Sequence, residues 1–579
     1  MKRQVEHLEG EKFDLVVIGG GIFGACVAWD AVLRGMRVAM VERQDFGGQT
    51  SANCFKMVHG GIRYMQHADI VRIRESCHER RALLRIAPHL VQPLPIAIPT
   101  YGHGMNGKLL LAAGMWGYDL LTCDRNRGIA DPGRHVPFGY FLSRDDILKS
   151  FPDLHGDGLT GAAVFHDAQM YSPARLVLAF IRSAVDRGVV ACNYVEAGDL
   201  VVENGRVRGL NCRDLLCGES FTIHADAVIN ATGGYSESLF RRWFEPDRTG
   251  KRTYSRDACF VVDRRFESPM AIALMGQSRD SDAVLAREGR HLFISPWRDA
   301  SLIGVWHKVH EGDPRDLQVE DREIETFIDE INGTYTGLDI RPDEVRLWHS
   351  GLLPFGDARD SGRELSYGKR SIFIDHGREH GIGGLVSVIG IRYTMGRGDA
   401  ARAVDMLLAG QGKRTHRPAT DRIAIHGGEV EVFEDLVTEI HRSDGLPSGG
   451  AVARALAHNH GSAYRGVLAH ARNTPAMLQP ITGTDVLGVE VLHAIRDEMA
   501  VNLADIVFRR TDLATAGHPG DEALRMAAVI AGRELGWNDG KVQEEIDGVM
   551  DCFPGFPRSS GRFPSDPLNA ELTHEDSVL

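Results

Sequence analysis

The chain has 579 residues, enough for a few domains of about 150 residues each. Hydrophobic residues make up 43% and charged residues 25%, an ordinary balance that excludes disorder of the whole chain, a collagen-like repeat and a small disulfide scaffold. Lys+Arg 66 against Asp+Glu 79 leaves a net charge of −13, which argues against a nucleic-acid binder.

In chain order, the leader MKRQVEHLEGEKF has no apolar stretch, so no signal peptide is expected. Phe13 to Gly19 reads as an apolar strand, Ile22 to Arg34 as a helix and Arg37 to Glu42 as a second buried strand, together a β-α-β unit. Gly107 to Leu121 is the most suggestive membrane segment. It is too short to span a bilayer and reads either as an interfacial helix or as an ordinary buried one. Phe180 to Arg187 reads as helical. Val189 to Val195, Leu200 to Val207 and Glu219 to His224 read as short strands, with a turn at Asn204-Gly205. Ala227 to Asn230 and Gly384 to Gly390 read as buried strands, and Ala400 to Leu408 as a helix. From about His416 strand-like runs thin out and amphipathic helices follow, over Val452 to His460, Leu487 to Met499 and Leu524 to Leu535. The expected division is 1–415 as a discontinuous cofactor- and substrate-binding domain, 416–556 as a helical C-terminal domain and 557–579 as a disordered tail. Nine cysteines without a C-x-x-C pair point to free thiols, with no disulfide framework and no metal site.

Gly19-x-Gly21-x-x-Gly24 sits where the first strand becomes the first helix. Gly19 permits the turn, Gly21 lets backbone approach a pyrophosphate, and Gly24 allows close helix–strand packing. The helix N-terminus offers free N–H groups to the phosphates. Glu42 ends the second strand, where its carboxylate can accept from both ribose hydroxyls. NAD and FAD both remain open on these residues alone. Ala231-Thr232-Gly233 capping a later strand, and a late strand ending at Gly390 before a helix, favour FAD.

Thr50-Ser51, Lys56 and His59-Gly60-Gly61-Ile62-Arg63-Tyr64 follow the first unit. Further on come Ala87-Pro88-His89-Leu90, Tyr118-Asp119, Asp167 and Asn230-Ala231-Thr232-Gly233. Later still are Pro296-Trp297, Gly312-Asp313-Pro314, Ser350-Gly351, Glu498-Met499-Ala500 and Arg509-Arg510-Thr511. This series resembles the FAD-dependent glycerol-3-phosphate dehydrogenase family, within the D-amino-acid-oxidase-like flavoproteins, over about residues 13 to 550. The resemblance implies an α/β fold. A Rossmann-like FAD domain of the two-dinucleotide-binding type carries an inserted mixed-sheet substrate domain and is followed by a mostly helical C-terminal domain. It implies non-covalent FAD, oxidation of sn-glycerol 3-phosphate to dihydroxyacetone phosphate, and quinone or oxygen as electron acceptor. It assigns Thr50, Ser51, Lys56, His59, Gly60, Ala231, Thr232, Gly233, Gly390 and Thr394 to the cofactor, and Arg63, Tyr64, Arg392 and Thr394 to an anionic, phosphorylated substrate.

The chain departs from the family pattern at the reacting end. Leu353 stands for the family's arginine, Cys259 for its histidine, Val305-Trp306-His307 for Thr-Thr-Asp, Gly396 for a tyrosine and Arg392 for a lysine. Flavin-dependent alcohol oxidation needs a base for the hydroxyl proton and fixed positive charge near the reacting centre. Arg392 is the candidate for the charge, and His59, His307 and His349 are the candidates for the base. Two other readings compete: an oxidase of a different alcohol or amine in a specialised pathway, and a flavin-binding protein without catalysis. The expected location is the cytoplasm, with peripheral contact at the inner face of the cytoplasmic membrane through 107–121.

Overall fold

A computed structural model describes residues 1–102, 108–245, 253–266, 268–276, 291–311, 314, 317, 319–335, 337–354, 370–414, 416–447 and 449–553. The 557–579 tail and the Gly312-Asp313 pair lie outside the described residues, as does the side chain of Arg63.

Two β-α-β crossovers organise the first layer. A six-stranded sheet runs Ile372–Asp375, Leu385–Ile389, Val228–Asn230, Leu15–Ile18, Val38–Val41, Val190–Cys192. All neighbours are parallel except the antiparallel Ile372–Asp375 edge. Leu15–Ile18 and Val38–Val41 are buried at every position, as expected for parallel strands covered on both faces. The Ile22–Leu33 helix lies on one face and packs with Gly396–Gly410 and Pro173–Val185. A four-stranded sheet including Val195–Glu203, Arg206–Asp214 and Ser220–Ala225 belongs to the cluster on the other face.

The Pro173–Val185 helix begins well before the expected Phe180 and ends short of Arg187. Its start signal is local: Ser172 Oγ accepts from the Arg175 N–H, and Pro173 fills the first helical position. Likewise, the late helix starts at Gly396 rather than Ala400, after a 3₁₀ turn over Tyr393–Met395.

The second layer is a nine-stranded mixed sheet. Its Thr253–Val262 strand lies between Ala300–Glu311 and Val345–Pro354, antiparallel to both. One face of these strands, with Phe260, Ile303 and Trp348, packs on the Asp321–Thr334 helix through Phe327 and Ile331. On the other face Cys259, Val261 and Leu302 meet Val491, Leu503 and Val507 of the C-terminal region. That region is mostly helical, and its helices include Gly450–His460, Gly488–Glu498 and Asp521–Leu535.

The Lys108–Leu121 helix is buried along one side only. Met115 and Tyr118 are buried, whereas Trp116 is 75% and Leu120 77% exposed. Among the described residues no helix is long and apolar enough to cross a membrane.

Candidate functional site

The nucleotide turn is built from backbone. Gly19 has φ +105°, a left-handed region that glycine enters at no steric cost. A Cβ on Gly24 would stand 1.8 Å from the Gly19 carbonyl oxygen, so this close crossing of helix and strand admits no side chain. Gly21 caps the helix without a side-chain bond, leaving N-terminal amides to face a phosphate. Ser51 Oγ accepts the Ile22 N–H at 3.1 Å, which ties the Gln49–Ala52 turn to the helix start. Glu42 accepts the N–H of Gly20 at 2.5 Å and of Gln44 at 2.8 Å, and burial pushes its pKa up. This acid therefore also braces the turn, a role its spacing alone does not reveal.

The other cofactor candidates converge on the same edge of the six-stranded sheet. Ala231 N–H bonds to the Ile18 carbonyl at 2.9 Å, bringing the Ala231-Thr232-Gly233 turn beside the first. Thr232 Oγ1 donates to Asn230 Oδ1 at 2.7 Å. A Cβ on Gly390 would meet the Phe23 ring at 1.8 Å, so the late turn lies against the first helix. Thr394 Oγ1 accepts the His59 N–H at 3.1 Å, joining that turn to the Gly-rich loop. The loop is pinned from below: Gly60 N–H donates to Asp167 Oδ1 at 2.6 Å, and Tyr118 Oη donates to the Gly60 carbonyl at 3.0 Å. Buried Arg80 pairs with Asp167 at 2.6 Å. Burial alone would raise the Asp167 pKa, but the His59 hydrogen bond and the Arg80 charge hold it below the usual carboxylate value.

Opposite these loops lies one face of the substrate sheet. A Cβ on Gly351 would point at Thr50, and Thr50 Oγ1 bonds the Leu352 backbone at both N–H and carbonyl. Strand alternation then puts His349, Gly351 and Leu353 on the loop-facing side. Their cross-strand partners are Cys259, Asp257 and Ser255, and Asp257 pairs in turn with His307. The loop-facing surface therefore carries both candidate bases of the substrate sheet, His307 and His349. Trp306 alternates to the other face and stacks edge-on with Phe327, so the Val305-Trp306-His307 stretch offers its histidine to the site and its indole to the core. Cys259 is buried against Phe55 and the C-terminal helices.

The two histidines differ. His349 Nδ1 is 3.1 Å from Asn53 Oδ1, a carbonyl oxygen that can only accept. The proton is thus assigned to Nδ1, and Nε2 carries a lone pair. Nε2 is buried without a hydrogen-bond partner among the described residues. Burial first, then the Lys56 charge, hold the His349 pKa well below 6.5, so the ring is neutral. His307 Nδ1 lies 2.6 Å from Asp257 Oδ1, which also accepts from Ser255 Oγ at 2.9 Å. The third candidate, His59, leaves its ring 56% exposed with Nδ1 3.4 Å from Asp167. Lys56 is buried, donates to the Ala52 carbonyl at 2.6 Å, and has its pKa lowered chiefly by burial.

Arg392 supplies positive charge with no carboxylate hydrogen-bonded to it among the described residues. Its Nη1 donates to Tyr64 Oη at 3.2 Å and Ser76 Oγ at 3.0 Å, and its guanidinium lies over the Tyr64 ring. A half-buried cation hydrogen-bonded to hydroxyls fits an anionic ligand. Neighbouring Arg397 is committed elsewhere, to Glu79 at 2.6 Å.

The C-terminal region is clamped to the cofactor layer by buried charge. Glu498 binds Arg175 at 2.5 Å and Arg182 at 2.9 Å, and Asp45 binds Arg509 and Arg510, each at 2.6 Å. His460, His493 and Glu498 come close enough to hold a metal ion, yet the Glu498 oxygens are already taken by the two arginines.

Sequence reasoning missed Asn53, Ser76, Arg80 and Asp257. Asp257 had a usable signal, since it lies two positions from Cys259 on a strand and so shares its face. The others meet the site only through tertiary packing.

Comparison with known proteins follows the same division. The FAD dependent oxidoreductase family matches residues 14–390, and the C-terminal domain of alpha-glycerophosphate oxidase matches 418–542. The chain is similar to human mitochondrial glycerol-3-phosphate dehydrogenase, 30% identical over 560 residues, covering 93% of this chain and 72% of that one. It is similar to the glycerol-3-phosphate dehydrogenase of Synechocystis, 28% identical over 572 residues and covering 96% and 99%. In fold it matches the FAD-complexed glycerol-3-phosphate dehydrogenase of Bacillus halodurans, with TM-score 0.72, 23% identity and coverage of 96% and 98%.

Proposed function

This chain belongs to the FAD-dependent oxidoreductase family, among its glycerol-3-phosphate dehydrogenases, and from that premise we propose that it oxidises sn-glycerol 3-phosphate to dihydroxyacetone phosphate. The observation that carries the reading is Arg392, hydrogen-bonded to the hydroxyls of Tyr64 and Ser76, together with a neutral His349 whose Nε2 has no hydrogen-bond partner among the described residues. The residues fit FAD: Gly19, Gly21 and Gly24 form the turn, Ser51 and Glu42 brace it, and Ala231, Thr232, Gly390 and Thr394 close the same edge.

FAD, when bound, supplies the hydride acceptor at flavin N5. Arg392, with Tyr64 beside it, holds the substrate phosphate by charge-assisted hydrogen bonds; Arg63 joins them by its place in the family motif. His349 Nε2 takes the hydroxyl proton as the carbinol carbon loses its hydride, so the products are a carbonyl and a protonated ring. Asn53 fixes the tautomer that leaves Nε2 free to accept. Asp257 orients His307, which holds the polar end of the substrate on the same face. The measurement is product formation: purified enzyme with a quinone analogue should release dihydroxyacetone phosphate in step with acceptor reduction. Absence of product, with turnover of another alcohol or an amine, would favour the oxidase of a specialised pathway.

We also propose peripheral contact with the inner face of the cytoplasmic membrane, where quinone serves as acceptor. Trp116, Leu120, Ile70 and Val71 are all more than half exposed. Their two helices are joined by Arg74, which donates to the Leu121 carbonyl at 2.6 Å. The −13 net charge opposes anionic lipid, so apolar insertion has to dominate. Trp116→Asp should abolish pelleting with liposomes; recovery of the wild type wholly in the supernatant would point to oxygen.

A further inference from the structure

A second concentration of positive charge lies away from the flavin site. A cavity of about 320 Å³ is lined by His78, Arg81, Arg85, Arg127, Asp421 and Arg422. None of these residues is among those placed at the cofactor or substrate. His78, Arg81 and Arg85 fall on one face of the Ile70–Ile86 helix, three and four positions apart. Arg127 comes from the loop after the Lys108–Leu121 helix, and Asp421 and Arg422 from the start of the C-terminal region.

The charges do not balance. Arg81 pairs with Asp124 at 2.6 Å, and Arg422 lies 3.4 Å from Asp421. Arg85 and Arg127 have no carboxylate partner among the described residues. Two uncompensated guanidinium groups therefore face one cavity in a chain whose net charge is −13. Arginine forks match the oxygens of a phosphate in pairs, which a lysine cluster does not do. The volume is at the lower end for a small-molecule site, about 300–1,000 Å³, and so suits a compact ligand.

We propose that this cavity is a binding site for a small phosphorylated anion carrying at least two negative charges, held mainly by Arg85 and Arg127, with the one lining carboxylate, Asp421, set against Arg422. The ligand is a free phosphate ester, a pyrophosphate or the phosphate of a lipid headgroup, and the recognition chemistry is the same in each. The inference does not depend on which alcohol the flavin site oxidises.

The test is calorimetric titration of the FAD-loaded enzyme with inorganic pyrophosphate, wild type against Arg85→Gln with Arg127→Gln. Both residues are at least partly exposed, and the flavin spectrum reports whether the variant is folded. Arg422→Glu, on a side chain 66% exposed, is the independent second variant. Each variant should bind at least tenfold more weakly than the wild type. A parallel arm uses vesicles containing phosphatidylglycerol: tenfold weaker vesicle binding by the variants, with no pyrophosphate binding, assigns the phosphate to lipid. Equal affinity in wild type and variants for both probes, or no binding of either by the wild type, would overturn the proposal.

Discussion

The nucleotide turn and the substrate face solve different problems with different atoms. At the turn the working groups are backbone amides, and what the sequence must provide is space: Gly24 leaves room for a carbonyl that a Cβ would meet at 1.8 Å. On the substrate face the working groups are side chains delivered by separate strands and loops. His349 is held by Asn53, and Arg392 by Tyr64 and Ser76, partners far apart in sequence. A backbone site is thus specified by a few contiguous residues, whereas a side-chain site is specified by register and packing over most of the chain.

The sharpest way to break this contrast is His349→Asn. Removing a general base costs about 10²–10⁴ in rate, or roughly 3–5 kcal/mol. Steady-state kinetics should show that loss in kcat while FAD content, read from the flavin spectrum, stays at the wild-type level. Loss of FAD instead would make His349 part of the cofactor cradle.

Arg392→Ala comes next. Charge-assisted hydrogen bonds contribute about 1.5–3 kcal/mol each, so KM for glycerol 3-phosphate should rise roughly ten- to a hundredfold. Arg392→Lys should recover part of it, because the charge remains without the fork. An unchanged KM would show that the phosphate sits elsewhere.

Gly24→Ala acts on the other region. Overpacking costs about 1–3 kcal/mol, and the strand–helix crossing should open enough for dialysis to strip FAD. Retention of full colour and thermal stability would mean that the crossing relaxes without cost.

The smallest effect is set by pH. His89, His349 and His460 are held neutral by burial, and His458 is pushed down to about 3 by burial and nearby arginines, against the opposing hydrogen bond to the His89 carbonyl. Their folded pKa values lie below the unfolded value near 6.5, so their contribution is complete above about pH 6.5 and is lost as pH falls towards the folded values. Each should cost about 1 kcal/mol per pH unit in that window. His458 stacks on Tyr171 and donates to the His89 carbonyl where the C-terminal helices meet the cofactor layer. Melting curves between pH 7 and 5 should show a falling Tm, and His458→Gln should flatten the slope.

These differences explain what could be read before the fold was seen. The turn at Gly19, Gly21 and Gly24 was legible because that spacing is itself the geometry of a close strand–helix crossing. The Pro173 helix start was hidden by attention to apolar period rather than to Ser172-Pro173, and the bracing role of Glu42 by the absence of any signal for its backbone partners. Candidate bases could be named from sequence, but His307 and His349 separate only once Asn53 and Asp257 show which nitrogen is occupied. The departures at Leu353 and Cys259 were visible, whereas burial of Cys259 against Phe55 was not.

The most direct test of the account is anaerobic mixing of the oxidised, FAD-loaded enzyme with sn-glycerol 3-phosphate, following flavin absorbance in a single turnover. Rapid bleaching is expected in the wild type, and bleaching slowed by about 10²–10⁴ in His349→Asn. Flavin absorbance that persists with glycerol 3-phosphate but bleaches with another alcohol or an amine would contradict it.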